Sequence, residues 1–344
     1  MIAAECYGDR DLYRIASQVI MLGCTVQADG SARVDLGPSG LDDLAAAVQP
    51  DAVVLGPGME EFSLSCFPVL NNPPHLFSRV SDKLWLYKWL KSRGFPAVPT
   101  WTADERPSAK SVVVKPIRGA GGVGCFKCGG GPIPDGCIGQ EFVPGVSASA
   151  SVISDGKSAV TMAVNEQLIG LPWLGASGFR YCGNVTPLSP HMSAGRHLQL
   201  AALAEEIVGE LGLMGSNGVD FVLGPQGPVV LEVNPRFQGS LDTVEQSTGA
   251  NLFTAHMEAF QGVLPKATKP AMTAGRGILY AARDIIVERE LEEEDLTDLP
   301  SVGTTIHKGQ PVVSILSVGR CRQEVLENMQ VRARHIFESC QLGS

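Results

Sequence analysis

Nowhere does this chain run through the ~18 consecutive apolar residues that a membrane-spanning helix needs, so no span is expected. Its opening, MIAAECYGDRD, has acids where a secretory leader has a basic flank and an apolar core, which points to a cytoplasmic protein. Charge is sparse at 18% of residues, and 27 Lys and Arg are outnumbered by 36 Asp and Glu. A formal net charge of −9 with no long basic run disfavours a nucleic-acid partner. Internal repeats are absent, and so is the Gly-Lys-Ser/Thr ending of a Walker A loop. The nine cysteines are odd in number and irregular in spacing, and a chain of 344 residues has length enough for two or three cores without disulfide staples. Only Cys125-x-x-Cys128 with Cys137 approaches metal-ligand spacing. It lies in a glycine-rich segment without a nearby fourth ligand of the usual sort, so reduced thiols are expected.

What the chain does have is concentrated in residues 218–240, GVDFVLGPQGPVVLEVNPRFQGS. Two apolar-rich runs, 219–223 and 229–233, flank Pro225-Gln226-Gly227, a three-residue hairpin turn ending in glycine. Pairing centred on Gln226 sets Asp220 opposite Glu232. Strand alternation then puts Asp220, Glu232, Asn234 and Arg236 on one face. Val219, Phe221, Leu223, Val229, Leu231 and Val233 form the other, apolar face. Two carboxylates held cross-strand repel each other unless a cation lies between them. Hard oxygen ligands of this kind suit Mg²⁺ held together with nucleotide phosphates. The alternative is the solvated outer face of an edge hairpin.

Gly119-Ala120-Gly121-Gly122-Val123-Gly124 matches G-x-G-x-x-G, but a dinucleotide loop must open a helix. Here Cys125-Phe126-Lys127-Cys128-Gly129-Gly130-Gly131-Pro132 follows, a poor helix. The better reading is a glycine flap between antiparallel strands, with Lys115 of VVVKP just before it to meet phosphates. A merely mobile glycine loop is the competing reading.

Along the rest of the chain the pattern predicts an α/β (α+β) architecture. Expected elements are strands over 2–4 and 52–55, and helices over 11–22 and 41–48. A boundary is expected at Asn71-Asn72-Pro73-Pro74. Ser81 is expected to cap a helix over 82–93 that Gly94 stops. Strands are expected over 111–115, 140–143, 152–153 and 159–164. A helix over 197–211 should bury Leu200, Leu203, Ile207 and Leu211, with another over 252–260. An exposed acidic segment over 288–295, a strand-like pair and a helix near 323–337 complete the chain. The units expected are 1–75, 76–143, 144–270 and 271–344.

Taken together, the motif residues resemble the ATP-grasp superfamily. The resemblance rests on Lys83 in Ser81-Asp82-Lys83, Lys115 in VVVKP, the flap GAGGVG, Gln140-Glu141-Phe142-Val143-Pro144-Gly145, Asp220, and Leu231-Glu232-Val233-Asn234-Pro235-Arg236. It runs from about residue 81 to 265. It implies an ATP-grasp fold with an N-terminal pre-grasp α/β unit and a small C-terminal β-containing segment. The implied cofactors are ATP and Mg²⁺, with Mn²⁺ able to replace it. By the same resemblance Lys83, Lys115, Gly119, Gly121 and Gly122 contact ATP, and Gln140, Glu141, Phe142 and Val143 form the adenine hinge. Asp220, Glu232 and Asn234 hold the metal, and Arg236 and Lys115 serve the reaction. Ser147 and Ser149 stand where relatives often place a ribose-binding acid. Met1–Glu5 reads as a later strand of the pre-grasp unit followed by Tyr7-Gly8-Asp9-Arg10-Asp11. Its first β-α unit is therefore expected to be missing or to lie upstream.

Such ligases turn a carboxylate into an acyl phosphate that an amine then attacks. The layout resembles small archaeal and methylotroph ATP-grasp ligases, tyramine–glutamate ligases among them. An amino-acid ligase is expected, with glutamate as donor, in cofactor biosynthesis such as that of a one-carbon carrier. Arg180, Tyr181 and Asn184 are the substrate candidates; Arg180 either clamps a carboxylate or is an exposed structural arginine. His191 is either a pocket residue or an ordinary histidine. The expected partners are small-molecule carboxylate and amine substrates, with a homodimer left open. Two other readings stand: a bicarbonate-activating enzyme like biotin carboxylase, whose C-terminal hairpin VGTTIHKGQPVVSILS resembles, and a non-catalytic ATP-binding sensor.

Overall fold

The computed structural model describes residues 2–5, 18–21, 24–26, 32–34, 40–56, 58–188, 193–291 and 295–339. His191 and the loop at 7–11 lie outside them. Ile2–Glu5 is the middle strand of a parallel sheet, between Gln18–Met21 and Val53–Leu55. The helix expected over 11–22 is therefore corrected at its end. Val19 and Ile20 are adjacent β-branched residues, and their segment pairs with a strand instead of continuing a helix; residues 11–17 lie outside the described ones. Helix Gly40–Val48 packs Leu41 and Ala45 on Val53 and Leu55.

The run 71–74 is a fastener rather than a free linker. Asn71 exchanges hydrogen bonds of 2.7 and 2.9 Å with the backbone of Leu55. Asn72 is buried. Its Oδ1 accepts from the Met214 N–H at 2.9 Å, while Nδ2 donates to Asn217 Oδ1 at 2.9 Å and to the Pro235 carbonyl at 3.0 Å.

Helix Lys83–Ser92 is capped by Asp82, not by Ser81 as expected: Asp82 Oδ1 accepts from the N–H groups of Leu84 and Trp85. The neighbouring four-stranded antiparallel sheet runs Thr100–Trp101, Cys137–Glu141, Val112–Pro116, Phe126–Cys128. The glycine flap is the connection between its last two strands. The hinge strand ends at Glu141, so Phe142 and Val143 lie just past it.

The largest sheet has eight strands, in the order Gly227–Asn234, Met214–Gly224, Val146–Asp155, Ala159–Ile169, Tyr181–Thr186, Thr273–Tyr280, Pro311–Gly319, Leu296–Thr297. One face carries Ala148, Ala150, Val152, Val219, Phe221 and Val233, packed against Leu200, Ala204, Ile207 and Val208 of helix Ala194–Glu210. The opposite face is polar where the sequence alternates: register aligns Asp220 with Ser149, Ser149 with Asn165, and Gln167 with Asn184. Strands on either side of residue 270 share this sheet through the pairing of Tyr181–Thr186 with Thr273–Tyr280. The segment likened to a carboxylase hairpin does not pair with itself. Thr305–Ile306 pairs with Ile285–Ile286, and Pro311–Gly319 pairs with Thr273–Tyr280 and Leu296–Thr297.

Candidate active site

The carboxylate hairpin forms in the expected register at its open end, with Asp220 opposite Glu232 and Gly218 opposite Asn234. Two details differ. The turn has two residues between Gly224 and Gly227, and a bulge next to Asp220 pairs Phe221 with Val230. The bulge moves Leu231 off the apolar face: Val230 takes the core position, and Leu231 joins Glu232 on the wall of a cavity. The two carboxylates and the amide remain together, because the extra residue lies on the turn side of them.

That cavity, of about 300 Å³, lies between the hairpin and the four-stranded sheet. Lys83, Lys115, Gly119, Gly122, Gln140, Glu141, Phe142, Val143 and Glu232 all line it. Lys83 is the first residue of its helix, where the macrodipole disfavours a cation. Its ammonium is compensated locally: Nζ donates to the Gly119 carbonyl at 2.7 Å and lies 3.6 Å from Glu232 Oε2. Lys115 projects from an inner strand of the small sheet and is buried. Burial lowers its pKa to about 8, against the opposing pull of Glu232.

Asp220 shows the strain of the hairpin directly. Burial and the neighbouring Glu232 push its carboxyl up to about 7, although Gln167, Asn234 and Arg236 favour the charged form. Asn234 Nδ2 donates to Asp220 Oδ2 at 3.2 Å. An acid pair in this condition suits a bound cation. Two carboxylates and an amide leave other positions for phosphate oxygens, as Mg²⁺ prefers. Cys125, Cys128 and Cys137 are free thiols, and among the described residues no three His, Cys, Asp or Glu side chains are grouped to hold a metal.

Gln140 is buried in the cavity wall, and its Nε2 donates to Thr100 Oγ1 at 3.0 Å while its Oε1 is buried without a hydrogen bond. An acceptor left alone in this way costs stability unless a ligand N–H meets it; an exocyclic amine of a nucleobase would do so. The flap is seated on the large sheet through the Tyr181 N–H, which donates to the Gly121 carbonyl at 3.0 Å. Gly122 approaches the Phe179 carbonyl so closely that a Cβ there would lie 1.8 Å from it.

The cavity wall does not include the three substrate candidates. Arg180 stacks over the Tyr280 ring, 4.6 Å from its centroid. Asn184 is buried and spends its amide on Thr243 and Thr186. Tyr181 donates its hydroxyl to Asn184 Oδ1 at 3.3 Å, and burial holds its pKa above the usual phenol value. Ser147 lines the cavity, whereas Ser149 is buried and accepts from Asn165. Sequence reasoning missed Gln167 and Ile169 on the wall, and Glu60, which reaches Arg236 at 3.2 Å from beyond the N-terminal strand Val53–Leu55. Gln167 had a signal: it shares a strand face with Asn165, two residues before it.

Comparison with known proteins agrees with this geometry. Residues 80–240 match the model of the ATP-grasp domain. An uncharacterized protein of Methanocaldococcus jannaschii is 27% identical over 86% of this chain and 74% of its own length. The 3-methyl-D-ornithine–L-lysine ligase of Methanosarcina mazei is 25% identical over 76% of this chain and 73% of its own. Among solved structures, pyruvate carboxylase of Rhizobium etli superimposes with a TM-score of 0.69 at 17% identity over 96% of this chain; the chain spans only 34% of that carboxylase. N5-carboxyaminoimidazole ribonucleotide synthetase of Thermotoga maritima gives a TM-score of 0.64 at 17% identity, over 97% of this chain and 91% of its own. At such identities the structural likeness shows the fold alone. The motif order and the domain match agree that residues 80–240 of this chain are an ATP-grasp domain.

Proposed function

We propose that this chain is an ATP-dependent carbon–nitrogen ligase that activates a carboxylate as an acyl phosphate, releases ADP and joins the acyl group to an amine. The observation that carries the reading is the meeting of Lys83, Lys115 and Glu232 on one cavity wall, with Asp220 directly opposite Glu232 in the hairpin and Asn234 and Arg236 beside Asp220. An amino acid is the proposed donor, with glutamate first on the panel; the relative named as a ligase of L-lysine favours amino-acid chemistry. A role in building a small cofactor belongs to the same proposal.

The chemistry asks little covalent work of the protein. A substrate carboxylate oxygen bonds to the γ-phosphorus, and the bond to ADP breaks. The amine then bonds to the acyl carbon, and inorganic phosphate leaves with its electron pair. Lys83 and Lys115 hold the phosphates by charge, and the flap excludes water from the reactive acyl group. Gln140 Oε1 and the backbone at 141–143 receive the adenine. Arg236 offsets charge on the transferred phosphoryl group. Asp220, Glu232 and Asn234 would hold Mg²⁺, which neutralises phosphate charge when bound.

Mg²⁺-ATP turnover in hydroxylamine, across a panel of glutamate, lysine, other carboxylates and bicarbonate, tests the reading. A carboxylate-dependent hydroxamate with stoichiometric ADP supports it. AMP release points to an adenylate and overturns the mechanism. Bicarbonate dependence alone moves the chain to the carboxylases, and ATP binding without turnover makes it a sensor.

Lys115 gives a pH test. Phosphate binding needs the ammonium, which in the free protein titrates near 8. Below that pH the residue is ready; above it, a proton must be taken up on binding. The Kd for ATP is expected to rise by up to about tenfold per pH unit above 8. In Lys115→Met, affinity should be weak and the rise absent. A flat wild-type Kd from pH 7 to 9.5 would remove Lys115 from the phosphate site.

A further inference from the structure

We propose that Glu60, supplied by the N-terminal parallel unit, is the positioning residue that holds the Arg236 guanidinium in its working orientation. This rests on the ligase reading given above. Glu60 is almost fully buried, at 7% exposure. Its two carboxylate oxygens do different jobs: Oε1 lies 3.2 Å from Arg236 Nε, and Oε2 accepts from the Gly58 N–H at 2.8 Å. One oxygen therefore fixes the carboxylate to its own loop, and the other fixes the arginine.

Met59, next to Glu60, anchors this part of the chain to the N-terminal core. The loop leaves the carboxyl end of strand Val53–Leu55, the end of a parallel strand at which α/β proteins place ligand chemistry. Met59 is buried with Leu41, Ala45, Val53 and Leu55. Its N–H donates to the Gly56 carbonyl at 3.1 Å, and its own carbonyl accepts from the Phe62 N–H at 3.0 Å. On the other side, the turn that carries Arg236 is held by Asn72 at the Pro235 carbonyl. Two contacts from the N-terminal unit thus converge on adjacent residues, 235 and 236.

The geometry fixes the guanidinium at two corners. Nε meets Glu60, and Nη1 donates to the Phe237 carbonyl at 2.8 Å. The plane is then set, and among the described residues no hydrogen bond is recorded for Nη2. A carboxylate on Arg236 also weakens the positive potential that the arginine offers to a phosphoryl group. A site selected only for charge would omit it, so what Glu60 contributes is orientation. Long side chains lose rotamer freedom only when they are held, and misplacement of a reacting group by about 1 Å costs ~10²-fold in rate.

The test is a double-mutant cycle in the full chain, with thermal midpoints measured alongside. Glu60→Ala is expected to lower kcat about 10²-fold while the KM for ATP changes less than about threefold. Glu60→Gln, which keeps the size of the side chain and its contact with Nε but not the charge, should recover part of that loss. In the Arg236→Ala background, Glu60→Ala should add less than about threefold, because there is no longer a guanidinium to orient. Additive losses, or a change in KM for ATP with unchanged kcat, would overturn the proposal. A readout independent of the reaction is the Arg236 Nε–H resonance, identified by its disappearance in Arg236→Lys. It should exchange slowly with water in the wild type and quickly in Glu60→Ala. Equal exchange in both proteins overturns the positioning role even if ligase turnover is found. Loss of protection in a protein without ligase turnover keeps the contact and sinks the ligase reading instead.

Discussion

Replacing Asp220 by asparagine is expected to abolish Mg²⁺-dependent turnover and, in the same protein, to raise the thermal midpoint of the ligand-free state. The loss should be on the order of 10³-fold or more, since an amide in place of a charged oxygen weakens the pull on the cation and on the phosphates around it. The gain follows from the acid pair. In the fold, burial and Glu232 raise the Asp220 carboxyl from 3.8 to about 7. A folded-state pKa above the unfolded one contributes stability below pH ~4, and that stability is lost as pH rises through 7. At pH 8 the free protein therefore bears the full penalty of an ionised Asp220. Asparagine removes it and can still accept a hydrogen bond from Asn234. The expected gain is about 1–3 kcal/mol at pH 8, fading towards pH 4. Added Mg²⁺ and nucleotide should stabilise the wild type strongly and the variant weakly. Turnover within tenfold of wild type would remove Asp220 from the metal site, and a lower midpoint at pH 8 would contradict the account of repulsion.

Gly122→Ala is the second large effect. The new methyl would start 1.8 Å from the Phe179 carbonyl oxygen and 2.6 Å from its carbon, both backbone atoms that cannot swing away. Gly122 also has φ of 73°, where an L-residue is strained. The flap must lift, which breaks the bond from the Tyr181 N–H to the Gly121 carbonyl. Water then reaches any acyl phosphate. We expect kcat/KM for ATP to fall about 10²-fold, and ADP release to outrun product formation as the intermediate hydrolyses. The fold should survive, since Gly122 belongs to a connection and to none of the apolar cores. The coupling ratio of product to ADP is the measurement. An unchanged ratio together with unchanged kcat/KM would mean that the flap does not need to seat for the reaction.

What the sequence made legible was local. Asp220 opposite Glu232 follows from strand alternation and a short turn, both written within residues 218–234. The flap could be separated from a dinucleotide loop because its sequel, with three consecutive glycines, cannot start a helix. The bulge that turns Leu231 into the cavity was not legible, because it depends on which neighbour occupies the core. Nor was the strand at Gln18–Met21. A short apolar run reads equally as helix or strand until its partner is known. At the start of helix Lys83–Ser92, Ser81 and Asp82 are both capping residues, and only the hydrogen bonds to Leu84 and Trp85 decide between them. Glu60 and Asn72 were invisible for a different reason. Their partners lie well over a hundred positions away, beyond any spacing rule.

The Asn72 clasp bears on how this protein can be taken apart. A buried side-chain amide that satisfies the Met214 backbone, Asn217 and the Pro235 carbonyl behaves as a keystone, although a run rich in Asn and Pro looks like an ideal place for a cut. A deletion that ends just after residue 72 would leave buried polar groups unanswered beside Arg236. A chimera that borrows its first 75 residues from a relative must keep an asparagine at position 72, whatever else it exchanges. The seam between the two sheets is where the modules look separable and where they are least interchangeable.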